Sequence, residues 1–348
     1  MPTKSTAKKR VIRALVALVL VASLFIPLPY YVFQPGSADE LQPMLSVANG
    51  QKDEKGTLMM TTVMTVPTRN IYYYLYGLVW PNRQVVPRQE VDQGMSGADY
   101  QKVLQHMMSS SQESAIVAAM RYLKMPVQMS YFGVIVAQVL PDSKAKGVLQ
   151  PGDLIEQVDG KPMLKSEDLI SYLANKKVGD KVRIEFTRDN QRQTADVELI
   201  GLPSQGNSGQ PTRPGLGIQP ITKQKVENLL KVDFHTENIG GPSAGLMFAL
   251  EIVSQLTPGD LTKGHRIAGT GTIDANGNVG QIGGIEHKIV AADEKGAEIF
   301  FAPADPPNNP ELTNTKDAMK KAAEIKTKMK IVPVKNLAEA VDYLQKLP

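Results

Sequence analysis

The chain has 348 residues, of which 42% are hydrophobic and 21% are charged, so it is long enough to form two or three domains with buried cores. Its net charge of +4 at pH 7 is modest and gives no indication of nucleic-acid binding. It contains no cysteine, which excludes disulfide bonds, thiolate zinc sites and a cysteine nucleophile.

The first feature of the chain is an uncharged, mostly apolar run over residues 14–33. As a helix this run would span about 30 Å, the thickness of a bilayer core. The basic residues in the tail, residues 1–13, predict a cytoplasmic N-terminus, and Tyr30 and Tyr31 lie where an outer aromatic belt would sit. We expect an uncleaved, single-pass anchor. A cleaved signal peptide is the alternative, but no small-x-small cleavage site directly follows the run.

Four segments follow the predicted anchor. Residues 34–55 are rich in proline, glycine and polar residues, and they predict a stalk. Residues 58–66 are β-prone and bounded by glycine and proline, which predicts a strand. Residues 71–80 contain four tyrosines and the only tryptophan, so they either rest on a membrane surface or form a core or groove wall. Residues 110–123 have a capping-box start and an apolar face with helical period, which predicts a helix.

Short strands and turns are predicted over residues 126–200, and this block resembles a PDZ domain. The matching segments are Tyr131-Phe132-Gly133-Val134, Asp142-Ser143-Lys144-Ala145, residues 147–155 and Val158-Asp159-Gly160. The resemblance implies β-augmentation, in which an extended peptide adds a strand and loop N–H groups bind its C-terminal carboxylate. The peptide-binding loop would be Tyr131, Phe132, Gly133 and Val134. The alternative is a PDZ fold used only for packing within the molecule.

Residues 201–214 are rich in proline, glycine, serine and glutamine, and they predict a linker. Within them, Gly206-Asn207-Ser208-Gly209 is similar to the nucleophile loop of trypsin-type proteases. In PDZ proteases of that type the serine precedes the PDZ block, whereas Ser208 follows it. A polar linker also gives little shelter to an oxyanion, so we do not assign Ser208 as a nucleophile.

The segment Gly240-Gly241-Pro242-Ser243-Ala244-Gly245 places one serine on a tight turn, before a predicted helix that is apolar on nearly all sides. The first N–H groups of a helix and its dipole favour negative charge. An acyl-transfer site needs such donors for its developing oxyanion. We expect the backbone N–H groups of Ser243 and Ala244 to supply them.

A second predicted helix begins at Gly283-Gly284-Ile285 and carries Lys288. A serine needs a base to become a nucleophile, and a neutral lysine can be that base. A lysine has an ordinary pKa of about 10.4, and lowering it by about three units costs about 4 kcal/mol. Burial against apolar neighbours can do this. The alternative is that Ser243 only caps a helix and that Lys288 is solvated.

The serine and lysine segments, together with Gly296-Ala297-Glu298-Ile299-Phe300-Phe301-Ala302-Pro303, resemble the proteolytic domain of the Lon family. The resemblance implies Ser243 as nucleophile and Lys288 as general base, without an Asp or His in the dyad. It also implies a threonine that hydrogen-bonds the lysine. The family's Thr-Gly-Glu strand reads Ala268-Gly269-Thr270 here, so Thr270 or Thr272 would take that role.

Residues 112–116 are similar to the helix that precedes the serine strand in Lon proteases. The PDZ block would therefore be inserted into a protease domain split into residues 56–125 and 215–348. The expected fold class is α+β: a Lon-type proteolytic domain of mixed sheets and helices, a β-sandwich-like PDZ domain and an N-terminal transmembrane helix. This arrangement resembles the membrane-anchored PDZ–Lon-like proteases of Gram-positive bacteria.

The predicted function is an ATP-independent serine endopeptidase at the cell membrane, with its PDZ and protease domains outside the cytoplasm. No GxxxxGK[ST] motif is present, so no nucleotide is expected as a partner, and the four histidines form no metal-binding pair. We therefore expect no cofactor and no metal. The expected partners are secreted or membrane-associated peptide and protein substrates, the lipid bilayer and, because Lon-type domains commonly form rings, copies of the chain itself. The alternative is a non-catalytic membrane PDZ adaptor with a Lon-like scaffold.

Overall fold

The structure is a computed structural model that describes residues 4–51, 55–202, 213–227, 230–236 and 239–348. Ser208 and most of the predicted linker lie outside these residues. The chain divides into two compact units, of which the first comprises residues 1–126 and 230–348 and the second residues 127–229. The predicted mixture of helices and sheets is confirmed.

The first part of the first unit combines strands of its central sheet with four helices. In chain order the elements are α1 (Lys4–Ser23), β1 (Tyr30–Glu40), β2 (Leu45–Val47), β3 (Thr57–Pro67), α2 (Ile71–Val79), β4 (Gln84–Pro87), α3 (Arg88–Asp92) and α4 (Gly97–Tyr122). The strand predicted over residues 58–66 is confirmed as β3. The stalk predicted over residues 34–55 is wrong, because most of β1 is paired with β3 and β2 is paired with a later strand.

The N-terminal apolar run does not form one helix. Helix α1 ends at Ser23, and residues 30–33 belong to β1, where they pair with β4. Tyr31, predicted to lie in an aromatic belt, is 9% exposed, and its hydroxyl donates to the carboxylate of Asp92 at 3.1 Å. Within the described ranges, none of the helices has both the length and the hydropathy that a bilayer span requires.

Helix α4 is longer than its sequence pattern predicts. It begins at Gly97, and the side chain of Ser96 caps it by accepting the N–H of Asp99 at 3.2 Å. The capping-box start predicted at Ser110 is therefore wrong. Residues 115–120 of α4 are buried, so this part of the helix is fixed by packing against the core, which outweighs the local capping signal.

The second unit contains a sheet and one helix. Its elements are β5 (Gln128–Val139), β6 (Leu154–Val158), β7 (Lys161–Pro162), α5 (Ser166–Ala174), β8 (Lys181–Arg188), β9 (Gln191–Glu198), β10 (Ile200–Leu202), β11 (Arg213–Gly215) and β12 (Ile218–Glu227). The main strand order is β12-β5-β6-β8-β9, and β7 pairs with β6. The prediction that residues 215–227 belong to the protease part is wrong. They belong to the second unit, because β12 pairs with β5 from Ile218 to Glu227.

The remaining elements complete the first unit. They are β13 (Val232–Phe234), α6 (Gly245–Leu256), β14 (Arg266–Gly269), β15 (Thr272–Ile273), β16 (Val279–Gly280), α7 (Ile285–Glu294), β17 (Ile299–Pro303), α8 (Asn314–Glu324), β18 (Lys330–Val334) and α9 (Leu337–Gln345). The central sheet has the order β18-β17-β14-β3-β1-β4. Strand β14 pairs in parallel with β3, so the two separate parts of the chain share one sheet.

The hydrophobic core of this unit positions the helix that carries Lys288. Ile285 and Ile289 on α7 are buried in one cluster with Phe300 of β17 and Met59 of β3. These apolar side chains hold α7 against the sheet, and each fully buried one contributes about 1.5–3 kcal/mol.

We predict that Phe300→Ala lowers the free energy of unfolding by about 3–5 kcal/mol, because it removes a large side chain that is 0% exposed and leaves a cavity under α7. Urea unfolding measures this change. Leu312→Ala is the control, since Leu312 is 38% exposed. Equal losses of stability in the two variants would contradict the core assignment.

Candidate active site

The turn that carries Ser243 is held by helix α4. The N–H of Gly241 donates to the carbonyl of Leu104 at 2.9 Å, and the hydroxyl of Ser111 donates to the carbonyl of Pro242 at 2.9 Å. The carbonyl of Leu104 and the hydroxyl of Ser111 both belong to α4, so this one helix restrains the turn at two points. Ser243 itself is half-buried.

Helix α6 begins two residues after Ser243, and its first residue has no room for a side chain. A Cβ on Gly245 would lie 2.8 Å from the hydroxyl oxygen of Ser111 and 2.9 Å from a methyl group of Ile273. The carbonyl of Ser243 accepts the N–H of Gly271 at 2.8 Å. The N–H groups of Ser243 and Ala244, the expected oxyanion donors, therefore lie at the amino end of a buried helix, where negative charge is favoured.

Lys288 is buried, with 2% exposure, and its amine contacts three oxygen atoms. The Nζ atom lies 2.7 Å from the hydroxyl of Ser243, 2.9 Å from the hydroxyl of Thr270 and 3.0 Å from the carbonyl of Thr61. No carboxylate is among these partners. Burial lowers the pKa of Lys288 from its ordinary value to about 7, because removal from water disfavours the charged amine.

The hydrogen bonds around the amine determine where its lone pair points. A neutral amine has two N–H groups and one lone pair. The carbonyl of Thr61 can only accept, and the hydroxyl of Thr270 donates its own proton to the carbonyl of Ser243 at 3.0 Å, so it also accepts from the amine. The lone pair of Lys288 is left facing the hydroxyl of Ser243, whose proton it can accept.

Of the two threonines proposed as helpers, only Thr270 contacts the lysine in the described residues. Thr270 is 0% exposed and follows β14, whereas Thr272 belongs to β15 and pairs with Gly280. The carbonyl of Thr61 was not predicted. A backbone acceptor leaves no residue-type signal in a sequence, and Thr61 lies 227 positions before the lysine.

His287, the sequence neighbour of Lys288, faces another side of α7. It is 6% exposed and lines a polar cavity of about 250 Å³ with Asn82 and Lys321. Burial is the main cause that lowers the pKa of His287. Among the described residues, no group of His, Asp and Glu side chains could hold a metal ion.

The peptide-binding loop predicted at Tyr131, Phe132, Gly133 and Val134 is wrong. These residues lie inside β5, which pairs with β12 on one edge and, at Val134, with β6 on the other. Gly133 has a φ of +137°, and a Cβ there would lie 2.6 Å from the carbonyl oxygen of Ile155. The glycine is therefore required by strand packing, and both edges of β5 are already paired at Val134.

Strand β12 is one of the two edge strands of this sheet, and a groove runs beside it. The groove has a volume of about 80 Å³ and lies between α5 and the β11–β12 segment; its lining includes Ile170, Leu173, Leu216, Ile218 and Pro220. Proline lacks an N–H donor and is tolerated in a sheet on an edge strand, which fits Pro220 in β12. The segment Gly215-Leu216-Gly217-Ile218 forms the end of the groove.

This loop was missed because the sequence pattern placed the end of the block at residue 200. The Gly-Leu-Gly-Ile segment at residues 215–218 is the sequence signal that could have identified it. Its position beside an edge strand is the geometry that β-augmentation requires.

Comparison with protein families identifies both units. Residues 109–199 match the PDZ domain, and residues 229–346 match the C-terminal proteolytic domain of Lon protease (S16). The chain therefore contains a PDZ domain and a Lon-type proteolytic domain. The PDZ match begins within α4, which is part of the first structural unit.

Two of the curated proteins that this chain resembles are a serine endoprotease and a Lon protease. A probable periplasmic serine endoprotease DegP-like protein of Pseudomonas savastanoi pv. phaseolicola is 33% identical over 141 residues, or 37% of this chain and 28% of that protein. The Lon protease of Aster yellows witches'-broom phytoplasma is 34% identical over 99 residues, or 28% of this chain and 11% of that protein. The chain thus spans less than a third of the length of these relatives.

Among solved structures, the PDZ domain of an SdrC-like protein from Listeria monocytogenes is 35% identical. The match covers 27% of this chain and 93% of that one, with a TM-score of 0.24.

We predict that the free energy of unfolding of the unsubstituted protein increases with pH, compared with that of the Lys288→Met variant. The folded amine loses its proton near pH 7 and the unfolded one near pH 10.4, so between these values the unfolded state binds more protons. The difference in the free energy of unfolding should therefore change by about 4 kcal/mol across this window in favour of the unsubstituted protein. Urea unfolding at a series of pH values measures it.

Lys316→Met, which removes an exposed lysine, is the control and should leave the pH profile unchanged. A constant difference between the Lys288→Met variant and the unsubstituted protein from pH 7 to 10 would contradict a buried amine that is neutral above pH 7.

Proposed function

We propose that the protein is an ATP-independent serine endopeptidase in which Ser243 is the nucleophile and Lys288 the general base. The observation that carries this proposal is the 2.7 Å contact between the lysine amine and the serine hydroxyl, in a site where burial lowers the pKa of Lys288 to about 7. A lysine kept only for structure would gain nothing from this desolvation, which costs about 4 kcal/mol.

In the first half of the reaction, the hydroxyl oxygen of Ser243 attacks the carbonyl carbon of the scissile peptide bond. Its proton passes to the lone pair of Lys288, and the carbonyl oxygen becomes an oxyanion. The N–H groups of Ser243 and Ala244 are the candidate donors to this oxyanion. The resulting ammonium gives its proton to the amide nitrogen as the C–N bond breaks, which leaves an acyl-enzyme and a free amine.

In the second half, a water molecule attacks the ester carbonyl and Lys288 accepts the water proton. The ammonium then returns a proton to the oxygen of Ser243 as the acid product leaves. After each proton transfer the charged amine has three N–H groups and the same three oxygen partners, so no group needs to move to satisfy it. Such preorganisation lowers the reorganisation cost of catalysis.

We assign substrate selection to the groove of the PDZ unit. The open edge of β12 supports recognition of an extended peptide by main-chain hydrogen bonds, and the apolar side chains of Ile170 and Leu173 favour an apolar C-terminal residue. The loop at residues 215–218 would bind the terminal carboxylate, and Arg213 beside it adds a positive charge.

We also place the protein at a cell membrane, with both units outside the cytoplasm. The support is the apolar second half of helix α1, in which the side chains of Leu15, Val16, Leu18, Leu20 and Val21 are all more than half exposed. Exposed apolar surface of this extent marks an interaction or membrane site. Membrane attachment raises the local concentration of secreted and membrane-associated substrates.

We predict that Ser243→Ala lowers cleavage of an unstructured protein by about 10³-fold or more, because no other described hydroxyl faces the lone pair of Lys288. Cleavage by the unsubstituted protein should rise with pH through about 7, as the base loses its proton. Quantifying fragments by gel electrophoresis without ATP measures both effects.

Ser208→Ala is the matched control, since Ser208 lies in a glycine-flanked motif that is similar to a trypsin-type nucleophile loop. It should retain full activity. Equal turnover by Ser243→Ala and the unsubstituted protein would exclude the dyad and leave the non-catalytic PDZ adaptor as the alternative.

For the groove, we predict that Ile170→Lys weakens binding of a peptide with an apolar C-terminal residue by about tenfold or more, because it removes apolar contact area from the groove wall. Fluorescence anisotropy with a labelled peptide measures the affinity. Leu164→Lys is the control, as Leu164 is 48% exposed and does not line the groove. Equal affinity for the free acid and its C-terminal amide would contradict carboxylate recognition.

A further inference from the structure

Helix α2 presents an apolar stripe to solvent. Ile71, Tyr72, Leu75, Leu78 and Val79 are between 37% and 78% exposed. Their positions i, i+1, i+4, i+7 and i+8 lie on one side of a helix. In a globular protein such a stripe normally faces the core, so its exposure needs a physical reason.

The opposite side of α2 is fixed to the protein. Gly77 is buried, and a Cβ there would lie 2.8 Å from methyl groups of Val32 in β1 and Val85 in β4. The side chain of Asn70 caps the helix by accepting the N–H of Tyr73 at 2.9 Å. The helix therefore cannot rotate its exposed stripe inward without losing this packing.

The stripe continues into the N-terminal apolar segment. The hydroxyl groups of Ser23, at the end of α1, and Tyr72 are 2.9 Å apart. The residues that follow α1 are also exposed: Leu24 is 46%, Phe25 is 77% and Ile26 is 58% accessible. The end of α1 and the stripe of α2 thus form one apolar surface.

The segment of the chain that carries α2 has charges of one sign. Residues 57–87 contain no Asp or Glu and two basic residues, Arg69 and Arg83. The guanidinium of Arg83 lies 4.3 Å from the ring centre of Tyr76, at the edge of the helix. Trp80 follows α2 directly and is 56% exposed. Exposed apolar residues with tryptophan, tyrosine and flanking arginine are the composition of helices that lie in a membrane interface.

We propose that the stripe of α2 and Trp80 lie in the headgroup region of an anionic lipid bilayer. This inference rests on the proposed membrane attachment and adds a defined contact surface to it. The lipid is favoured over a second copy of the chain because the surface is continuous with the exposed apolar helix α1, and because the arginines at its rim complement anionic headgroups.

The contact would also orient the candidate active site. Helix α2 packs on β1, β1 pairs with β3, and β3 carries the Thr61 carbonyl that binds Lys288. Because these contacts lie within one compact unit, a bilayer bound to α2 would hold the catalytic residues in a fixed orientation to the membrane surface.

Trp80 is the only tryptophan of the chain, so its fluorescence reports on this surface alone. We suggest reconstituting the full chain in vesicles of phosphatidylcholine and phosphatidylglycerol that carry bromine at defined depths of the acyl chains. We expect the emission of Trp80 to lie at a shorter wavelength with vesicles than without them. Bromine close to the headgroups should quench it more strongly than bromine at the bilayer centre.

The test variant is Leu75→Asp combined with Leu78→Asp, both at exposed positions. We expect it to lose the quenching while still floating with vesicles through α1 and cleaving a soluble peptide at the unsubstituted rate. Met319→Asp is the matched control, because Met319 is 47% exposed on α8, and it should leave the quenching unchanged.

Flotation with vesicles but without quenching of Trp80 would overturn this inference and leave membrane attachment intact. A concentration-dependent blue shift without quenching would indicate a second copy of the chain on this surface, and would also overturn it. Failure of the unsubstituted protein to float would contradict membrane attachment and this inference together. Cleavage of a soluble peptide tests the dyad separately in every case.

Discussion

The structure depends most on the placement of one buried amine. The amine of Lys288 is removed from water and has no carboxylate among its partners, so it is stable there only if uncharged or fully hydrogen-bonded. Its three oxygen partners satisfy both protonation states. The neutral amine donates to Thr61 and Thr270 and accepts from the hydroxyl of Ser243, whereas the ammonium donates to all three oxygens. In the proposed mechanism, the low solvation of this amine is also what makes it a base.

The partners of the amine explain why the protease part can be split by another domain. Thr61 precedes the inserted unit, whereas Ser243, Thr270 and Lys288 follow it. The parallel pairing of β3 with β14 brings the two parts together, and the hydroxyl of Thr61 adds a bond to the carbonyl of Gly269 at 3.1 Å. An insertion that leaves from the end of α4 and returns before β13 leaves this pairing intact.

The same division separates what the sequence could predict from what it could not. Ser243 and Lys288 each lie near the start of a helix with a glycine signal, so the local pattern selected both as candidates. The Thr61 carbonyl has no residue-type signal, and it meets the lysine only through the tertiary pairing. The loop prediction at Tyr131–Val134 failed for a related reason. A glycine between aromatic and β-branched residues fits either a loop or a packed strand, and here the pairing of β5 with β12 and β6 makes the segment a strand. Residues 30–33 joined β1 because a strand partner was available to them.

A buried amine that must lose its proton also constrains the rest of the molecule. The apolar packing of Ile285 and Ile289 holds α7 in place, and burial of Lys288 on this helix lowers the pKa of its amine, so the stability of the core and this pKa are linked. The strand that supplies Thr61 is paired with β1, to which α2 is packed. Only β1 and β3 therefore lie between α2 and the amine of Lys288, so a membrane contact that displaced α2 would also shift the carbonyl of Thr61. A contact that left α2 in place would leave the three hydrogen bonds of Lys288 unchanged.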